Sequence, residues 1–189
     1  MMVAWRKFVD CLRRFGPVEQ GVAAVEFALI LPIMLILYIG SVEASALISM
    51  DRRVQSVAGA LGDLVARSNE TLLAADLQDY FRAAGGIMTP YPYDDLKQVV
   101  TQVNVDKEGK VTIGWCKQYV DGDYGTCTDY PTTYSLPDSM IAIAKEQSVI
   151  VATASYSHLP LYGFVIDKPV QLNRENYFMP RFGGPITVQ

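Results

Sequence analysis

The chain has 189 residues, a formal net charge of −4 and a pI near 5.0. That length holds at most one ordinary domain beside a membrane segment, and the acidic balance gives no basic field that would recruit nucleic acid. No Walker loop, dinucleotide glycine fingerprint or zinc-spaced Cys/His set is present, so nothing in the sequence asks for a cofactor or a metal.

Residues 1–21 carry Arg6, Lys7, Arg13 and Arg14 against Asp10 and Glu19. This excess of positive charge ahead of an apolar segment places the N-terminus in the cytoplasm. From Phe27 to Val42 no residue is charged, and with its apolar flanks the segment reaches the ~20 residues that a helix needs to cross a bilayer. Residues 22–50 are therefore expected to form a transmembrane helix, retained because the favourable cleavage site precedes the apolar run. Pro32 lies inside it and frees the carbonyl of Ala28. Gly40, Ser41, Ala44 and Ser45 provide small residues of the kind that helix contacts in lipid favour.

Glu26 stands near the hydrocarbon boundary, where a carboxylate costs about 2–3 kcal/mol unless it protonates, snorkels or meets a cation. A cut after Gly21 would supply such a cation, the α-amine of Val22, which on one subunit could meet Glu26 of its neighbour.

Gly21, four small or apolar residues, Glu26 and Phe27, set between a basic leader and a hydrophobic helix, resemble the processing site of type IV prepilins. The run Ala23 to Pro32 is more narrowly similar to the TadE-like family, minor pseudopilins of the tight-adherence (Flp-type) pilus system. This resemblance implies that prepilin peptidase cuts between Gly21 and Val22, with Glu26 serving recognition, register or charge pairing and Phe27 completing the motif. It also implies contacts with other pilin and pseudopilin subunits through the N-terminal helix. Residues 51–189 would form the domain outside the bacterial inner membrane. Ser155–Leu161 and Met179–Arg181 also look like TadE-like sequences.

Past the apolar run, Leu47, Met50, Val54, Val57, Leu61 and Leu64 form a stripe at 3-4 spacing, which extends the helix to about Arg67 with one face on a core. Such a helix from Val22 would be ~68 Å long. Ser68-Asn69 breaks the run and is expected to cap a second helix, Glu70 to Ala84, with Leu73, Leu77, Phe81 and Ala84 on one face and a stop at Gly85-Gly86. Asn69-Glu70-Thr71 also matches a glycosylation acceptor, although capping explains it better. Thr89 to Asp95 reads as a loop.

The period then changes to two. Val99, Thr101, Val103 and Val105, the turn Asp106-Lys107-Glu108-Gly109, and a strand with Val111, Ile113 and Trp115 on one face predict a β-hairpin. Asp121-Gly122-Asp123-Tyr124-Gly125, with Asp129, has some look of a calcium loop. Glycine at the fifth position lacks the needed ligand, so a solvated turn is expected. Thr132 to Asp138 reads as a loop and Ser139–Glu146 as a short helix or irregular connection. Gln147–Ser157 is the strongest strand, apolar or small on both sides, and is expected centrally in the sheet beneath the long helix. A further strand is expected at Phe164–Leu172, followed by a tail.

Of the three cysteines, Cys11 falls in the leader. Its removal leaves Cys116 and Cys127 to pair in an oxidising compartment, the alternative being two free thiols in a reducing one. The sole histidine, His158, would have to serve any Ser/His enzyme site. Neighbouring strand residues such as Ser157 point to the opposite face, so an enzyme is not expected.

The fold class is α+β and pilin-like, a long N-terminal helix packed on a small, mainly antiparallel β-sheet. The function that the TadE-like resemblance implies is that of a minor pseudopilin in pilus assembly and secretion. The alternative is an uncleaved, single-pass periplasmic binding module that uses the tyrosine-rich loops Tyr91–Tyr93 and Tyr119–Tyr134.

Overall fold

The computed structural model describes residues 21–128, 134–160, 163 and 166–189. Helix α1 runs from Val22 to Ala66, continuous through Pro32. The chain divides into two units, one ending at Ala44 and the other spanning Ser45–Gln189. The first unit is the apolar part of α1, whose side chains are exposed over almost all of its length.

The second unit is α+β. After α1 come β1 (Thr71–Leu72), α2 (Ala74–Gly85), a 3-10 turn (Gly86–Met88), β2 (Lys97–Val105), β3 (Val111–Val120) and β4 (Asp123–Thr126). Helix α3 (Asp138–Ile143), β5 (Ser148–His158), β6 (Val170–Phe178) and β7 (Thr187–Val188) complete it. Five strands form an antiparallel sheet in the order β4-β3-β2-β5-β6. Strands β1 and β7 make a separate parallel pair.

One sheet face carries the main core. Met50, Val54, Val57, Ala58, Leu61 and Val65 of α1 are buried with Leu77 and Phe81 of α2 and with Val100, Ile150 and Ala154 of the sheet. The stripe read from the sequence holds as far as Leu61. The next buried position is Val65, with Leu64 only half-buried, because a straight helix turns slightly less than a 3-4 repeat requires. The opposite face is closed over part of its area by Leu136, Ala144, Met140 and Ile141 against Val103, Val149 and Val151. β5 is thus covered on both sides, as its apolar run requires, although β2 rather than β5 is the middle strand.

Three local expectations are corrected. Helix α2 begins at Ala74, with Leu73 as an N-cap that has no side-chain hydrogen bond. Asn69 does not cap it, because Thr71 and Leu72 are drawn into pairing with Thr187 and Val188, and Leu73 is left 54% exposed. In the β2–β3 hairpin the register shifts: Gln102 pairs with Trp115 and Val103 with Ile113, so Gly114 is an extra residue. This bulge reverses the alternation. Trp115 therefore packs with the main core, and Val111 lies on the other face.

The last long strand is Val170–Phe178 rather than Phe164–Leu172; Phe164 and Val165 lie outside the described residues. Its pairing with all of β5 from Ile150 to His158 sets its position. The tail beyond it is built into the domain. Ile186 is buried, its amide donates to Gln102 Oε1 at 2.7 Å, and its carbonyl accepts from Trp115 Nε1 at 2.6 Å.

Candidate functional site

The sequence places its functional residues at the start of α1. Gly21 immediately precedes the helix, and a Cβ added to it would meet nothing within 4 Å. Val22 is 64% exposed, as is Phe27. Glu26 lies one turn beyond Val22, so the two share a helix face. It is exposed and has no hydrogen bond or ion pair among the described residues. Among the described residues, nothing crowds the Gly21–Val22 peptide or pairs with the carboxylate one turn on. Of the leader expected at residues 1–21, residues 1–20 lie outside the described residues.

From this point α1 is long and apolar enough to cross a membrane, with a mean hydropathy of 2.5 over its most apolar window and none of that window buried. Glu43 closes the run. It is 3% exposed, the one buried carboxylate among the described residues, and the sequence reading had assigned it nothing.

The other candidates resolve into structure. Cys116 and Cys127 are joined by a disulfide, with Cα atoms 5.6 Å apart, that ties the end of β4 to β3. Asp121 and Gly122 form the two-residue turn between β3 and β4, with φ of 53° and 85°. Both values are positive, as a type I′ hairpin turn requires. Asp129 lies outside the described residues, and among those described no group of three His, Cys, Asp or Glu side chains could hold a metal.

His158 is half-buried, which holds its pKa below the ordinary imidazole value by desolvation. The neighbouring Ser157 hydroxyl accepts from Gln171 Nε2 at 2.9 Å, on the other face of the strand. Among the described residues, no hydrogen bond joins a nucleophile to the histidine.

The tyrosine-rich loops are largely turned inward. Tyr91 lies under the Arg53 guanidinium at 5.4 Å, while Arg53 also donates to the carbonyls of Ile87 and Thr89. Tyr119 stacks on Phe81 with ring centroids 5.9 Å apart. The Tyr134 hydroxyl donates to Glu175, and burial together with that carboxylate pushes its pKa far up. Among the described tyrosines of these loops, Tyr93 alone is mostly exposed, at 52%.

Fold and site together define a protein with one candidate membrane span and a disulfide-bonded α+β domain. The family model for TadE-like protein matches residues 21–60, which hold the open Gly21–Val22 peptide, Glu26 and the apolar run. Over that segment the chain is similar to TadE-like protein. No curated protein and no solved structure is matched. Ser155–Leu161 and Met179–Arg181 fall outside the matched residues.

Proposed function

We propose that this protein is a minor pseudopilin of the tight-adherence pilus biogenesis and secretion system, cut by prepilin peptidase between Gly21 and Val22 and held in the bacterial inner membrane with residues 51–189 on the periplasmic side. The observation that carries this reading is the exposed Gly21–Val22 peptide, one helical turn before a carboxylate with no partner among the described residues, at the start of the uncharged run Phe27–Val42.

Each residue has a physical role in this reading. Gly21 lets a peptidase approach the backbone without a side chain in the way. The cut creates the amine of Val22 at the membrane surface, and Glu26 offers it, or that of a neighbouring subunit, a counter-charge. Pairing there removes the cost of holding a lone carboxylate near hydrocarbon, and so fixes the register of one helix against the next. The remaining apolar surface of α1 serves both lipid and other pilin subunits.

Deleting the protein from a cell that builds tight-adherence pili should abolish surface fibres, and the wild-type chain should restore them. Glu26→Ala should reproduce the loss while the outer domain keeps its disulfide and fold. Normal fibres without the protein would contradict the assignment, and normal fibres with Glu26→Ala would remove the role given to the carboxylate.

A further inference from the structure

An open sheet has two edge strands, and each turns a row of backbone N–H and C=O groups outward, where another chain can pair with them. In this domain the edges are β4 and β6. Proteins guard such edges by keeping the strand short, bending it with a bulge, setting lysine or proline in it, or laying another element along it.

The β4 side is guarded. β4 has four residues and ends beside the Cys116–Cys127 disulfide. It pairs only with Lys117–Val120 of β3, and the stretch of β3 beyond it carries the bulge at Gly114.

β6 has none of these devices. Its nine residues, Val170–Phe178, pair with β5 from His158 to Ile150 with no shift of register. Pro169 precedes the strand, but neither proline nor lysine lies within it. Its two charged side chains are engaged on the faces of the sheet, Arg174 by Asp51 through hydrogen bonds of 2.8 and 2.6 Å and Glu175 by the Tyr134 hydroxyl. Among the described residues, its backbone makes no backbone hydrogen bond other than those to β5. About half of its residues therefore hold an N–H and a C=O outward in line.

We propose that the outer edge of β6 is a docking site for an extended segment of another protein, which joins the five-stranded sheet as a further strand. Backbone hydrogen bonds supply the affinity, and side chains select the segment. On the face toward α1, β6 buries Leu172 and half-buries Phe178, whereas Gln171, Asn173 and Glu175 are exposed on the other. A segment that alternates β-branched apolar residues with polar ones matches both faces. A second copy of this chain matches poorly, because antiparallel pairing of β6 with itself over its full length sets Arg174 directly against Arg174 of the copy.

The test is amide hydrogen exchange, read residue by residue, on the full chain in detergent micelles. The probe strand is an alternating Thr-Val octapeptide with a lysine at each end, and the control is the same peptide with a central proline. Alone, the chain should show alternate fast and slow amides along Val170–Phe178. The probe should slow the fast set several-fold, the control should not, and Asp123–Thr126 should be unchanged. Fast amides that the probe leaves unchanged would overturn the inference, as would slowing at Asp123–Thr126 instead. If the β6 amides are all slow in the chain alone at every dilution, the edge is closed within the chain and the inference falls. If they are slow only at high concentration, a second copy holds the edge, which overturns the assignment to another protein.

Discussion

Gly62 of α1 lies against the ring of Phe178 so closely that a Cβ on it would stand 2.4 Å from Cδ2 and Cε2 and 3.0 Å from the Cβ of Ala152. The helix crosses the β5–β6 part of the sheet at this glycine, and the absence of a side chain lets it come down onto the strands. Gly62→Ala gains about 1 kcal/mol of helix propensity but forces an overpacked contact that costs roughly 1–3 kcal/mol. The substitution should therefore lower the thermal midpoint, and Gly62→Val should lower it further. Thermal unfolding followed by circular dichroism measures both.

The buried tail depends on one amide. Gln102 is 3% exposed and accepts the Ile186 N–H through Oε1. Gln102→Leu keeps the bulk but leaves that N–H unpaired in the core, at about 1–3 kcal/mol. The Ile186 amide should lose hydrogen-exchange protection, and the Thr187 and Gln189 amides, which donate to the carbonyls of Glu70 and Leu72, should lose theirs as the β1–β7 pair loosens.

The disulfide closes a short loop with a sequence separation of 11. In the loop-entropy account it stabilises by about 2–3 kcal/mol. Cys116→Ser with Cys127→Ser should reduce the urea midpoint accordingly and leave the α1 core assembled, since neither cysteine belongs to the main core.

Side-chain hydrogen bonding from Arg67, and then from Arg181, holds the Asp63 carboxyl below the usual aspartate range, against an opposing effect of desolvation. A carboxyl lowered in the folded state contributes stability that is present above its unfolded pKa, near 3.8, and is lost as pH falls through the folded value. Asp63→Asn should lower stability at neutral pH and flatten the acid limb below about pH 4. A pH series of thermal midpoints for the two proteins gives the comparison.

What the sequence disclosed was whatever depends on one element at a time. The 3-4 spacing from Met50 to Leu61 is set by helix geometry and by the need to bury one face, and it was legible without a partner. The two-sided apolar run of β5 was legible for the same reason. Features that need a second strand were not. The bulge at Gly114 appears only when β3 is laid against β2, and it alone decides which face Trp115 takes. The two-residue pair β1–β7 joins segments 116 positions apart in the register Thr71 with Thr187, and no local pattern marks it. At the N-terminus Glu26 stands out in the sequence because it breaks an apolar context, whereas nothing in the sequence around Glu43 marks it as buried.

The central claim is that a peptidase removes the leader and keeps the helix. Intact mass and N-terminal sequencing of the protein purified from membranes of a cell with its own prepilin peptidase test it most directly. The account predicts a chain beginning at Val22 and still embedded in the membrane. A chain beginning at Met1 in such a cell would contradict it.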